Sequence, residues 1–105
     1  MAVQHFFFKL IPPRPTFAID MSDSERALMG QHVSYVRTFY DAGAVLTYGP
    51  VLTSEGSFGF AVLEMPDVAA AEAFAANDPT ILAGLNRYEI SPMRLGGAQA
   101  SRSTQ

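Results

Sequence analysis

Among the ionisable groups of this chain, two stand out by position: His32 and Asp78. An imidazole titrates near neutrality and can serve as acid, base or ligand. His32 falls on the inner face of a predicted helix, where the commonest role is a core histidine satisfied by a backbone carbonyl. Asp78 lies between Asn77 and Pro79, just past a second helical segment. An aspartate there most often caps the turn that follows. As a pair the two could do more. A carboxylate against an imidazole orients the ring and settles which nitrogen holds the proton. Such a pair can act as a general acid or base, worth about 10²–10⁴-fold in rate. The spacing of the two residues is uninformative. Only a fold that packs the first helix against the end of the second would join them.

Other residues are candidates for lining a site. Gly49 and Pro50 would allow close backbone approach to a ligand, or would simply end a strand. Tyr48 could offer its hydroxyl, although a sheet-packing tyrosine is the commoner role. Arg14 could grip a carboxylate from within a proline-rich loop. His5 alternates within a strand and is most simply a structural or interface residue. His5 and His32 lack further ligands at a recognisable spacing, so no metal is expected. The glycines at 30, 43, 49, 56 and 59 fit no dinucleotide or phosphate-loop pattern, and no cofactor is expected.

The elements that must position these residues follow from local pattern. Residues 3–11, VQHFFFKLI, are aromatic and branched on both faces and predict a strand covered on both sides. Residues 12–20, PPRPTFAID, predict a loop, because prolines there forbid a ladder or a helix interior. Ser22 and Glu25 form a capping-box pattern that starts a helix running to about Asp41. Leu28, His32, Tyr35, Val36 and Phe39 recur at helical spacing and define its inner face. Gly43 is a stop signal. Residues 44–49 and 58–65 predict a hairpin, its first strand ended by Gly49-Pro50 and its turn at 53–57. Asp67 is the expected cap of a second helix through Asn77. A short turn from Pro79 and a fourth strand at 86–93 complete the order.

That order is β-α-β-β-α-β, the split βαβ of ferredoxin-like α+β folds: a four-stranded antiparallel sheet with two helices on one face. One domain is expected over 1–95, with 96–105 as a flexible tail. The face without helices carries apolar residues. Charged residues are only 16% of the chain, against about a quarter in typical domains. Both observations predict a homodimer through the open sheet face.

Composition also excludes. The seven Lys and Arg are scattered and form no basic stripe, so neither nucleic acid nor a membrane surface is an expected partner. Cysteine is absent, which removes disulfide and thiolate chemistry and suits a reducing, cytoplasmic setting. The N-terminal stretch lacks the basic start of a signal peptide.

His32, Asp41-x-Gly43, Tyr48-Gly49-Pro50, Gly56, Ala70, Ala73, Asn77-Asp78-Pro79 and Pro92 together resemble the YciI-like (YCII-related) family. The likeness spans about residues 3 to 95. It implies a dimeric α+β barrel of ferredoxin-like topology. It also implies an active-site dyad of the helical histidine and the Asp-Pro aspartate, which map onto His32 and Asp78. The proline-rich segment 12–20 is longer than in compact members. Lyase-like or dehalogenating chemistry on hydroxylated aromatics is an activity the resemblance suggests.

The expectation is a small cofactor-free enzyme, lyase- or hydrolase-like. In it His32, oriented by Asp78, transfers a proton on a small aromatic or carbonyl metabolite. The alternative is a non-catalytic dimeric module that binds a small ligand or regulates a partner. In a third reading the pair only locks the two helices together.

Overall fold

The structure is a computed structural model and describes residues 2–100. The last five residues of the expected flexible tail, 101–105, lie outside the described residues. The elements run β1 (Gln4–Ile11), α1 (Phe17–Asp20), α2 (Asp23–Asp41), β2 (Val45–Thr53), β3 (Gly56–Met65), α3 (Val68–Ala76), α4 (Pro79–Leu82) and β4 (Arg87–Met93). They build one four-stranded sheet in the order β2-β3-β1-β4. Every neighbouring pair is antiparallel. This is the α+β, ferredoxin-like arrangement expected from the element order.

Side-chain alternation assigns the two faces. Phe6, Phe8 and Leu10 of β1 are buried opposite Leu63, Ala61 and Gly59 of β3. The helices cover that face. Val36 of α2 and Ala71, Phe74 and Ala75 of α3 complete the core. Phe74 is its centre: its ring lies 4.8 Å from Phe39, 5.4 Å from Phe8 and 5.6 Å from Tyr35. Truncating such a residue to alanine costs about 3–5 kcal/mol through lost transfer energy and the cavity left behind. The opposite face carries His5, Phe7, Lys9 and Ile11. Phe7 stacks on Phe60 at 6.3 Å, and Lys9 lies over the Phe58 ring at 4.6 Å.

Capping follows the sequence pattern. The Ser22 side chain accepts from the Glu25 N–H at 3.1 Å, and Glu25 accepts from the Ser22 N–H at 2.9 Å. Asp67 accepts from the Ala70 N–H and starts α3. Gly43, at φ 85°, ends α2 in the left-handed region that favours glycine.

Two expectations differ from the structure. Gly49-Pro50 does not end the second strand, which continues to Thr53 with Pro50 opposite Gly59. β2 is an edge strand with one ladder only, and an edge tolerates a residue without an N–H. The segment 12–20 is not all loop: Phe17–Asp20 makes one helical turn, anchored by the buried Phe17 ring. The segment is pinned at two further places. Arg14 donates to both carboxylate oxygens of Glu25, at 2.8 and 2.9 Å, and to Asp20 at 2.8 Å. The Arg14 hydrogen bonds, with the Ser22 N–H, hold the Glu25 carboxyl down at about 2. Pro15 crosses directly over Gly56, where an added Cβ would lie 2.8 Å from the Pro15 carbonyl oxygen.

Among the described residues no helix is long and apolar enough to cross a membrane.

Candidate functional site

α2 carries Met29, His32 and Val36 on the stripe that faces the sheet, at the i, i+3 and i+4 spacing of neighbouring side chains. Beneath that stripe, α3 ends and α4 begins. Asp78 is the N-cap of α4 and Pro79 its first residue, which fixes a sharp break between the two helices. α2 packs against α4, and this contact brings His32 to Asp78.

The His32 Nδ1 lies 2.6 Å from Asp78 Oδ2. The other oxygen, Oδ1, accepts from the Thr80 N–H at 2.8 Å and from the Thr80 hydroxyl at 2.7 Å. The Asp78 side chain is fully buried, whereas that of His32 is 14% exposed. Burial by itself would push the Asp78 carboxyl up. The hydrogen bond and charge of His32, with the two Thr80 donors, outweigh it and hold the group below its usual 3.8. An ionised Asp78 accepts from an Nδ1–H. The other ring nitrogen, Nε2, is then the acceptor on a neutral ring. It has no protein partner among the described residues.

His32 forms part of the wall of a cleft of about 380 Å³ between α1, α2 and the β2–β3 half of the sheet. Asp78 is not in the wall and stands behind His32. The lining is overwhelmingly apolar: Phe8, Leu10, Phe17, Met29, Val36 and Ala61 contribute. Polar side chains enter only as His32, Tyr48, Ser57 and Asn86. A cleft of this size suits a small molecule, held by apolar contact and oriented by a few polar groups.

Tyr48, Gly49 and Pro50, expected beside the site from sequence, all line this cleft. Tyr48 also packs edge-on against Tyr40 at 5.5 Å. Arg14 does not line it. Its guanidinium is occupied by Asp20 and Glu25, and its role in the structure is to tie the proline-rich segment to the start of α2. His5 lies on the open face, 3.0 Å from Glu64. Among the described residues no three His, Asp or Glu side chains gather as a metal site.

Sequence reasoning missed Thr80, Asn86 and the residues that the chain after the prolines sends into the cleft, Phe17 and Met21 in place of Arg14. Thr80 had a signal: a hydroxyl two residues after a capping aspartate can join the cap. Phe17 and Met21 carried none, since their place in the cleft depends on how the segment folds back over β3. Asn86 is 5% exposed and precedes β4, where polar residues are ordinarily solvated.

The model of the YCII-related domain matches residues 6–94. The chain belongs to the YCII-related family. No relative matches among the curated proteins. Among solved structures, the chain is similar to 5-chloro-2-hydroxyhydroquinone dehydrochlorinase from Burkholderia phenoliruptrix AC1100, determined in complex with 2,5-dihydroxybenzoquinone. The two share 18% identity over 87% of this chain and 95% of that one, with a TM-score of 0.65. At this identity the likeness speaks to the fold.

Proposed function

We propose that this YCII-related protein is a small enzyme in which His32 transfers a proton and Asp78 orients it. The observation that carries this reading is the contact from His32 Nδ1 to Asp78 Oδ2 in a residue that lines an apolar cleft, with no protein partner for the second ring nitrogen among the described residues. In that arrangement Nε2 accepts a proton from an acidic O–H or C–H of the bound molecule. The ring becomes an imidazolium, and the buried carboxylate stabilises it. The proton is then returned to a leaving group or to a neighbouring carbon. No step requires a further cofactor.

The cleft suits a flat, mostly apolar molecule with polar groups at one edge. A hydroxylated aromatic or a conjugated carbonyl compound has that character. The similarly folded dehydrochlorinase acts on a chlorinated hydroxyhydroquinone, which agrees with that class. Lyase-like chemistry, in which loss of a proton drives departure of a neighbouring group, is the reaction type the pair fits best.

The test is a screen of hydroxylated and halogenated aromatics for turnover by the wild-type chain and by His32→Gln. Turnover by the wild type that falls at least a hundredfold in His32→Gln, with the melting temperature held, supports the enzyme. Ligands that raise the melting temperature without forming product would replace it with a binding module.

We also infer that the open sheet face is covered by a second copy of the chain. Phe7, Phe60 and Val62 form an apolar centre there. Lys9 stands opposite Glu89, with Arg87 farther along β4, and Glu64 lies against His5 at the other end of β1, so the face carries both charges needed to meet itself. Sedimentation of Phe60→Glu against wild type decides it. Wild-type dimers that dissociate in the variant support the interface, and a wild-type monomer removes it.

A further inference from the structure

One buried polar group of the cleft is unexplained by the proton-transfer pair. Asn86 lines the cleft and is 5% exposed. Its Nδ2 donates to the sulfur of Met29 at 3.5 Å, a weak acceptor. Its Oδ1 has no partner, the one buried side-chain polar atom in that state among the described residues. Rotating the amide by half a turn would only exchange the orphan: the oxygen would face a sulfur, and the NH2 would lose its acceptor. An unpaired buried amide oxygen costs about 1–3 kcal/mol, which a core position would avoid with a leucine or methionine.

Position adds a second argument. Met29 stands one turn before His32 on α2, so the Asn86 carboxamide lies against the same stretch of helix as the imidazole. Its backbone is tied to the same support. The Thr80 carbonyl accepts from the N–H groups of both Leu85 and Asn86, at 2.9 and 3.2 Å. Thr80 therefore holds Asp78 with its side chain and Asn86 with its backbone. The orientation of His32 and that of Asn86 rest on one residue.

The acceptor character of both groups restricts the ligand. With Nδ1–H given to Asp78, the ring offers an acceptor at Nε2. Asn86 carries a second acceptor, Oδ1, buried at the cleft wall, which a ligand reaches only as the wall beside it gives way. A ligand satisfying both must bring two O–H or N–H donors on one edge of an otherwise apolar body.

Building on the reading of this cleft as a proton-transfer site, we propose that Asn86 is a positioning residue that accepts a hydrogen bond from a ligand hydroxyl. It selects small aromatics with adjacent hydroxyl groups over those in which the hydroxyls are masked. His32 takes the proton that is removed, and Asn86 holds the neighbouring hydroxyl in place.

The test uses binding alone, so it is independent of turnover. Catechol and its dimethyl ether are titrated into the wild-type chain, Asn86→Leu and Asn86→Asp, with binding read by calorimetry and by shifts of the His32 ring protons. The wild type is expected to favour catechol about tenfold or more, as one added hydrogen bond to a buried acceptor would give. Asn86→Leu should lose most of that preference while still binding the ether. Asn86→Asp keeps an acceptor oxygen and should keep the preference, which guards against a Leu variant that fails to fold. Equal preference in wild type and a folded Asn86→Leu would overturn the Asn86 role and leave the proton-transfer reading intact. Catechol failing to bind the wild type would overturn this inference. Loss of turnover in His32→Gln, measured separately, would still decide the enzyme.

Discussion

His32 and Asp78 are 46 residues apart in sequence and 2.6 Å apart in the folded chain. Two roles of the aspartate coexist because its carboxylate has two oxygens. Oδ1 caps α4 through Thr80, and Oδ2 holds the imidazole. The ordinary role of an Asp-Pro aspartate is thus what presents its second oxygen to His32. The cap fixes the carboxylate, and the fixed carboxylate fixes the ring.

Asp78→Asn separates these roles. An asparagine still caps the short helix, so the fold should survive at a cost of about 1–3 kcal/mol. Opposite His32, an amide presents a donor or a weaker neutral acceptor and no longer stabilises an imidazolium. Turnover on any substrate found for the wild type should fall about 10²–10⁴-fold, with a far smaller change in KM. Wild-type kcat in a folded Asp78→Asn would mean the contact is only structural.

Acid should weaken the protein through the same carboxylate. Folding lowers the Asp78 pKa below 3.8, so the folded chain keeps the group ionised where the unfolded chain begins to protonate it. The resulting stability is complete above about pH 5 and is lost as pH falls through the folded value. Denaturant unfolding at pH 7 and pH 3 should show a larger drop for wild type than for Asp78→Asn. Glu25, held at about 2, adds to the loss in both proteins and cancels in the comparison.

Thr80 is fully buried, and both donors to Asp78 Oδ1 come from it. Thr80→Val keeps the shape and removes the hydroxyl, leaving a buried carboxylate oxygen one donor short. A loss of about 1–3 kcal/mol is expected, read as a melting-temperature drop of several degrees. Thr80→Ser should restore most of it. If valine and serine behave alike, the hydroxyl contributes little.

Gly56→Ala should release the proline-rich segment. The position has φ +124°, and a Cβ would lie 2.8 Å from the Pro15 carbonyl oxygen. Backbone strain and the forced shift should cost about 1–3 kcal/mol together. Limited proteolysis should then cut near residues 12–21 well before the rest of the chain. Cleavage kinetics identical to wild type would mean that another contact, such as Arg14 with Glu25, holds the segment.

Much of this protein is settled by the sequence through local physics. The capping box at Ser22 and Glu25, the aromatic alternation of β1, the glycine after α2 and the Asp-Pro break each act within a few residues. Their order leaves little choice but a βαββαβ sheet. The same physics puts His32 on an inward helical stripe and Asp78 at a helix start. Three further matters were decided only by tertiary structure. The meeting of α2 with α4 joined the pair, because burial and hydrogen bonding act between elements that sequence spacing does not relate. The edge position of β2 let the strand run through Pro50, which local propensity alone would have stopped. The folding back of residues 12–21 used Arg14 to anchor that segment and brought Phe17 and Met21 into the cleft wall. Asn86 depended on tertiary structure most of all: a residue of turn-forming type became a buried, unpaired acceptor only because of what packs around it.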